Sequence, residues 1–256
     1  MTEIKVILCG ALGRMGVNVT NAVNEDPAMK LVAGVDVNTD AGSASFPIYK
    51  NIADVKEDAD VIIDFSHHSA LLPILEFAKE RHIPAVIATT GHTDEETAEM
   101  KAASEFVPVF FSRNMSVGIT LLIELAKKSV AALGSKFDIE IIEQHHNKKL
   151  DAPSGTALMI ADAINEAEND KYTYTFDRHA ERREREKIEI GIHAVRGGTI
   201  VGEHEVIFAG NSEVIRLSHS AQSRTVFAEG AVRAAKFLIG KPAGMYNMND
   251  VVKEIM

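Results

Sequence analysis

Between Ile4 and Phe111 five short apolar runs alternate with amphipathic stretches of helical length, and a parallel sheet buried on both faces is the arrangement that accommodates this order. The runs Ile4 to Cys9, Leu31 to Val35, Val61 to Phe65, Ala85 to Ala88 and Val107 to Phe111 read as strands. Gly13 to Asn24, Ser69 to Glu80 and Thr93 to Ser104 carry helical spacing and are long enough to cross between parallel neighbours. The first part of the chain is therefore expected to be an α/β, Rossmann-type doubly wound parallel sheet.

After Asn114 the pattern changes. A helix at Val117 to Leu133 precedes a strand at Asp138 to Glu143, a loop, and a helix near Gly155 to Glu168. Ile188, Ile190 and Ile192 then alternate with polar neighbours, and Glu203 to Ala209 and Val214 to Ser220 follow at hairpin distances. These residues predict a second, α+β domain with a mixed or antiparallel sheet. A final amphipathic helix, Val226 to Ile239, returns to the first domain, which gives residues 1–116 with 225–256 as one domain and 117–224 as the other. The run Arg178 to Lys187, rich in both signs, reads as a solvated loop or helix face.

Composition removes several function classes. A net charge of -10 opposes general affinity for nucleic acid, which needs a surplus of Lys and Arg on one face. Val117 to Leu133, the longest apolar candidate, contains Glu124, Lys127 and Lys128, so no membrane span is expected. The amino end has no secretory pattern, and a single cysteine, Cys9, excludes an intramolecular disulfide. A cytoplasmic protein is expected. An anion bound by so acidic a chain requires a local cluster of positive groups.

The strand Ile4 to Cys9 runs into Gly10-Ala11-Leu12-Gly13-Arg14-Met15-Gly16 and then a helix. Glycine lets the backbone turn tightly and approach a pyrophosphate at the positive end of the helix. The spacing is G-x-x-G-x-x-G, and Asp36 ends the second strand, where a carboxylate can accept from an adenosine ribose hydroxyl. A nicotinamide dinucleotide is the expected cofactor. Asp36 repels a 2′-phosphate and is followed by Val37 without an Arg, so NADH is expected to be preferred over NADPH. Ala88-Thr89-Thr90 and Ser112-Arg113-Asn114-Met115 lie at two further strand ends, either lining a nicotinamide site or forming ordinary turns.

Glu143 to Ala157 reads EQHHNKKLDAPSGTA, with His145, His146, Lys148 and Lys149 inside a strongly acidic protein. Ser154-Gly155-Thr156 resembles a helix start, and cations beside exposed helix N–H groups make a carboxylate or phosphate site. A histidine exchanges protons near neutral pH, and a lysine beside other cations can do the same. A metal site is not expected, because adjacent histidines point apart on an extended chain and no third ligand completes a set. A solvated basic turn is the plain alternative.

GALGRMG, ATTG, FSRNMSVG and above all EQHHNKKLDAPSGTA resemble the dihydrodipicolinate reductase family. VRGGTIVGEHEVIFAG and IGKPAGMYNMNDVV are similar to its carboxyl-terminal portion, so the resemblance covers essentially the whole chain. It implies NAD(P)H-dependent reduction of 4-hydroxy-tetrahydrodipicolinate to tetrahydrodipicolinate with loss of water, in lysine and diaminopimelate synthesis. It also implies a nucleotide domain completed by the carboxyl-terminal helix, and a middle domain that binds substrate and builds a homotetramer.

By similarity, Gly10 to Met15, Asp36, Ala88 to Thr90 and Ser112 to Met115 line the cofactor. His145 and Lys149 become the proton-transfer residues, and His146, Gly155 and Thr156 hold the substrate carboxylates. Ser154 and Lys148 are weaker members of that shell, and the match of Arg224, taken as a bridge between domains, is loose. The family often carries Glu at the position of Asp36, sometimes with a neighbouring Arg. Val37 departs from that pattern and again points to NADH. The rival readings are a dehydrogenase of another small carboxylate and a non-catalytic NAD(H)-binding redox sensor, which would leave the histidine-lysine motif without a task.

Overall fold

The computed structural model describes residues 3–40, 44–176, 178–179 and 182–255. In chain order the elements are β1 Ile4–Cys9, α1 Arg14–Glu25, β2 Met29–Val35, β3 Ile48–Tyr49, β4 Val61–Asp64, α2 Leu71–Arg81, β5 Ala85–Ile87, α3 Asp94–Ala103 and β6 Pro108–Phe111. They continue with α4 Val117–Leu133, β7 Asp138–His145, α5 Gly155–Ala167, β8 Thr173–Thr175, β9 Glu189–Arg196, β10 Gly202–Ala209 and β11 Val214–Ala221. The chain closes with α6 Thr225–Leu238, β12 Gly244–Tyr246 and α7 Met248–Ile255. It divides into two compact units, Met1–Val117 with Arg224–Met256, and Gly118–Ser223.

The first unit is a seven-stranded sheet in the order β12-β6-β5-β4-β1-β2-β3, with every neighbouring pair parallel. Alternation along β1 sends Val6 and Leu8 to one face, where they join a core with Ala231 and Ala235 of α6, and Ile7 and Cys9 to the other, where they meet Ile74 and Ala78 of α2. Burial on both faces is the reason these strands read as continuous apolar runs. Local signals set the helix ends. Thr93 and Glu96 form a capping box on α3, with Asp94, Glu95 and Glu96 in its first turn.

In the second unit the sheet order is β11-β10-β7-β9-β8. Ile139, Ile141, Ile190, Val206 and Phe208 pack beneath Ile119 and Ile123 of α4 and Ile160 and Ile164 of α5. Of the two expected forms the sheet takes the mixed one: β10 pairs antiparallel with β7 and β11, while β7, β9 and β8 run parallel. The excursion through α5 and β8 between β7 and β9 supplies the crossover a parallel pair needs. Ile188 is 51% exposed in the turn before β9 and does not belong to the inward row expected for it.

The two-residue β3 and the three-residue β8 and β12 are too short to leave a periodic signal. The charged run is not merely solvated. Arg185 donates to Glu140 and Asp138, each at 3.0 Å, and Arg178 pairs with Glu140 and with Glu189, whose side chain is only 2% exposed. Ala180 and Glu181 of that run lie outside the described residues.

Candidate functional site

In the first unit the chain leaves β1 for β2 on one side and later returns to β4 on the other, so β1 and β4 form the switch point where open α/β sheets bind ligands. The glycine loop crosses this edge closely. Gly10 has φ +76°, and a Cβ there would lie 2.4 Å from the Phe65 carbonyl oxygen. A Cβ on Gly16 would lie 2.2 Å from the Gly10 carbonyl oxygen, so α1 can start against the loop only with glycine at that position. Gly13 takes the N-cap position of α1 without a side-chain cap, and its backbone leaves the first-turn N–H groups to an outside acceptor.

Asp36 closes the second strand end. Its Oδ2 accepts from the Leu12 N–H at 2.9 Å and its Oδ1 from the Asn38 N–H at 3.1 Å, so the carboxylate is fixed to the glycine loop. Beside them opens a cavity of about 620 Å³ lined by Gly10, Gly13, Asp36, Phe65, Ser66 and His67, among others. Crowded glycines, free helix N–H groups and a fixed carboxylate at the switch point fit a dinucleotide.

The remaining expected cofactor residues are placed less uniformly. Ala11 and Met115 are 3% exposed, with side chains in the core, so only their backbones are offered. Leu12 contributes its N–H to Asp36, Met15 packs on the same core, and Arg14 is exposed at the start of α1. Ala88 and Thr89 are buried and Thr90 exposed at the end of β5. After β6, Ser112 Oγ donates to the Asn114 carbonyl at 2.7 Å, Asn114 Oδ1 accepts from Ser116 N–H at 2.8 Å, and Arg113 is exposed. Neither segment lines the cavity at the switch point.

In the second unit, alternation on β7 carries the inward row from Ile139 and Ile141 to Glu143 and His145. Glu143 is fully buried. It accepts from Arg196 at 2.7 Å on each oxygen, from the Ser154 N–H at 2.9 Å, and from His145 Nδ1 at 2.6 Å. Burial would raise this carboxyl, but the bonds from Arg196, His145 and Ser154 together hold it below the ordinary carboxylate range.

An ionised carboxylate only accepts, so His145 carries its proton on Nδ1, leaving Nε2 as its unprotonated nitrogen. Burial lowers the His145 pKa, Glu143 opposes that, and Lys149 and Arg196 add to the lowering. A Cβ at Gly202 would come within 3.0 Å of Nε2, so this glycine keeps that edge of the ring clear.

Lys149 is paired with Asp151 at 2.9 Å in the loop that leads to α5. His146 is half-buried and Lys148 exposed. Ser154 caps α5, accepting from the Ala157 N–H at 3.1 Å, and its hydroxyl also lies 3.1 Å from His204 Nε2. Ser154 is 1% exposed, its hydroxyl turned to the α5 cap and to His204; Gly155 is exposed and Thr156 half-buried at that start. Arg224 is the residue at which the chain re-enters the first unit. Among the described residues no group of three or more His, Cys, Asp or Glu side chains is arranged to hold a metal ion.

Sequence reasoning missed Glu143, Arg196, Gly202 and His204 as parts of this site. The spacing Glu143-x-His145 on a strand was a usable signal, because residues two apart share a face. Arg196 stands beside His145 only through the parallel β7–β9 register.

His204 is buried and its pKa is lowered to about 3, first by burial and then by His145. An unfolded histidine takes a proton below its ordinary value of 6.5, whereas this one stays neutral to about 3, so the unfolded state binds more protons throughout that window. Stability is expected to fall as pH drops from 6.5 toward 3, and a His204→Asn variant should show a shallower slope in urea titrations across that range.

These two units define an oxidoreductase with a Rossmann-type nucleotide fold and a separate site of buried acid-base groups. The family models for the dihydrodipicolinate reductase N-terminus and C-terminus match residues 4–115 and 118–252. The chain is 54% identical over 251 residues to 4-hydroxy-tetrahydrodipicolinate reductase of Caldanaerobacter subterraneus subsp. tengcongensis, covering 98% of this chain and 99% of the relative. It is 46% identical over 249 residues to the enzyme of the same name from Clostridium novyi, covering 97% and 98%. The solved structure of dipicolinate-bound dihydrodipicolinate reductase from Paenisporosarcina sp. TG-14 superposes with a TM-score of 0.78 at 25% identity, covering 96% of this chain and 98% of that one. The chain belongs to the dihydrodipicolinate reductase family.

Proposed function

We infer that this protein reduces 4-hydroxy-tetrahydrodipicolinate to tetrahydrodipicolinate with loss of water, in lysine and diaminopimelate synthesis. The observation that carries this reading is the His145 imidazole, held on Nδ1 by buried Glu143 with Nε2 left clear by Gly202, in the same unit as Lys149 and the amino end of α5. The Paenisporosarcina structure holds dipicolinate, a flat cyclic dicarboxylate, and a substrate of that shape suits a cationic loop beside a helix start.

The first unit holds the dinucleotide, with the backbone of Gly10 to Met15 on the pyrophosphate, Asp36 on the adenosine ribose, and Ala88 to Thr90 and Ser112 to Met115 at the nicotinamide half. When bound, the reduced nicotinamide supplies the hydride. The second unit orients the dicarboxylate through His146, Thr156 and the N–H groups that begin at Gly155. A dianion beside His145 opposes the effects that lower its pKa, so the imidazolium forms in the complex and Nε2 delivers the proton that quenches the reduced ring. Lys149 serves both as a carboxylate partner and as a second proton source. Lys149→Ala is expected to lower kcat/KM roughly 100-fold with kcat and KM both affected, which steady-state kinetics would show; parental kinetics would remove Lys149 from the site.

The NADH preference expected from Asp36 and Val37 is retained here as a proposal. Support comes from the bond between Asp36 and the loop N–H, which fixes a negative charge at the adenosine end. A homotetramer built on the second unit fits the sheet face opposite α4 and α5, where Ile142 and Ile207 stand half-buried among polar side chains, and light scattering in solution would test it.

Oxidation of NADH and of NADPH by the parent protein, with freshly generated 4-hydroxy-tetrahydrodipicolinate, tests the whole reading. A higher kcat/KM with NADH supports both the reaction and the role of Asp36. A higher value with NADPH removes the preference, and no oxidation with either cofactor removes the reaction.

A further inference from the structure

The cavity beside Asp36 contains one lysine whose place is set by the sheet. Strand β3 pairs parallel with β2, Val35 opposite Tyr49, and the Asp36 N–H continues the ladder by donating to the Tyr49 carbonyl at 3.0 Å. The next step of that register sets Lys50 beside Asp36 at the carboxyl edge, and both residues line the cavity. Among the described residues Lys50 forms no ion pair, while the oxygens of Asp36 are occupied by the Leu12 and Asn38 N–H groups.

We propose that Lys50 is the cation that admits a 2′-phosphate at the adenosine end of the cavity, so that Asp36 and Lys50 together set the balance between NADH and NADPH. This rests on the dinucleotide reading of the cavity given above. A ribose 2′-phosphate brings about -1.5 to -2 charges at neutral pH. Beside Asp36 alone that charge is repelled, and beside an unpaired ammonium at the neighbouring strand end it gains a charge-assisted hydrogen bond. Lysine suits the task because its ammonium is a compact charge on a flexible stem, able to meet a phosphate in NADPH and to withdraw into solvent when NADH is bound. No neighbouring Arg after Asp36 is then required, because the cation comes from the adjacent strand.

The test is nucleotide binding, measured calorimetrically on the whole protein with adenosine 2′,5′-bisphosphate and adenosine 5′-monophosphate as probes. Lys50→Gln is expected to weaken the bisphosphate roughly tenfold, equivalent to about 1.4 kcal/mol, and to leave the affinity for the monophosphate within about twofold of the parent. Lys50→Glu should weaken the bisphosphate further, and raising salt should narrow the difference between the two probes in the parent alone. Equal weakening of both probes, or none, would overturn the assignment of Lys50. If the parent binds neither probe, the dinucleotide reading of the cavity falls with it. Failure of the reductase reading looks different, because both probes then bind as expected while the ring substrate is not reduced.

Discussion

Replacing His145 with alanine is expected to lower kcat by about 10²- to 10⁴-fold, the range for loss of a positioned general acid, with a much smaller change in KM for the dicarboxylate. The separation follows from what the side chain touches. Its Nδ1 is committed to Glu143 at 2.6 Å, and its Nε2 lies at the edge that Gly202 leaves clear, so the ring contributes one exchangeable proton and little binding surface. A second signature accompanies the first. An acid must be protonated to act, so the parental kcat should decline as pH rises through the pKa that His145 adopts in the substrate complex, and His145→Ala should lose that decline. Steady-state kinetics across pH measures both, and a mutant with parental kcat and an unaltered pH profile would remove His145 from the chemistry.

Replacing Glu143 with alanine is expected to cost about 3–5 kcal/mol of stability in urea unfolding, because removing one partner of a buried ion pair leaves the other uncompensated. Here the loss is compounded. The carboxylate takes two bonds from Arg196, one from the Ser154 N–H and one from His145, so β9, the start of α5 and the imidazole all lose a partner at once. Glu143→Gln keeps the shape and removes the charge. It should fold more stably than the alanine variant yet lower kcat, because a carboxylate that orients an acid-base histidine also sets its tautomer and stabilises its imidazolium. The amide can present either its oxygen or its N–H₂ to Nδ1, so the fixed tautomer is lost. A glutamine variant with parental kcat and pH profile would show that Glu143 is only structural.

The fold was legible wherever a run was long enough to repeat its period. The five main strands of the first unit and α4, α5 and α6 were all indicated by spacing, because burial on two faces or on one stripe writes itself into consecutive residues. The short β3 carries no such record, although it sets Lys50 beside Asp36. The direction of β9 was equally hidden. Alternation reports which side chains point inward but is the same for parallel and antiparallel neighbours, so a mixed or an antiparallel sheet was all that could be read, and the parallel β7–β9 pairing could not.

The candidate site divides along the same line. Its local parts could be read from the chain itself: the glycine loop after β1, Asp36 at the end of β2, the histidine-lysine run and the Ser154-Gly155-Thr156 helix start are each set by a few adjacent residues, through sterics, capping and charge. Tertiary structure alone decided which groups those parts meet. Arg196 reaches Glu143 across 53 positions, His204 reaches Ser154 across 50, and Gly202 leaves space for an imidazole on another strand. These juxtapositions depend on strand register, which arises when whole hydrophobic faces are buried together and is not encoded in any short stretch of sequence.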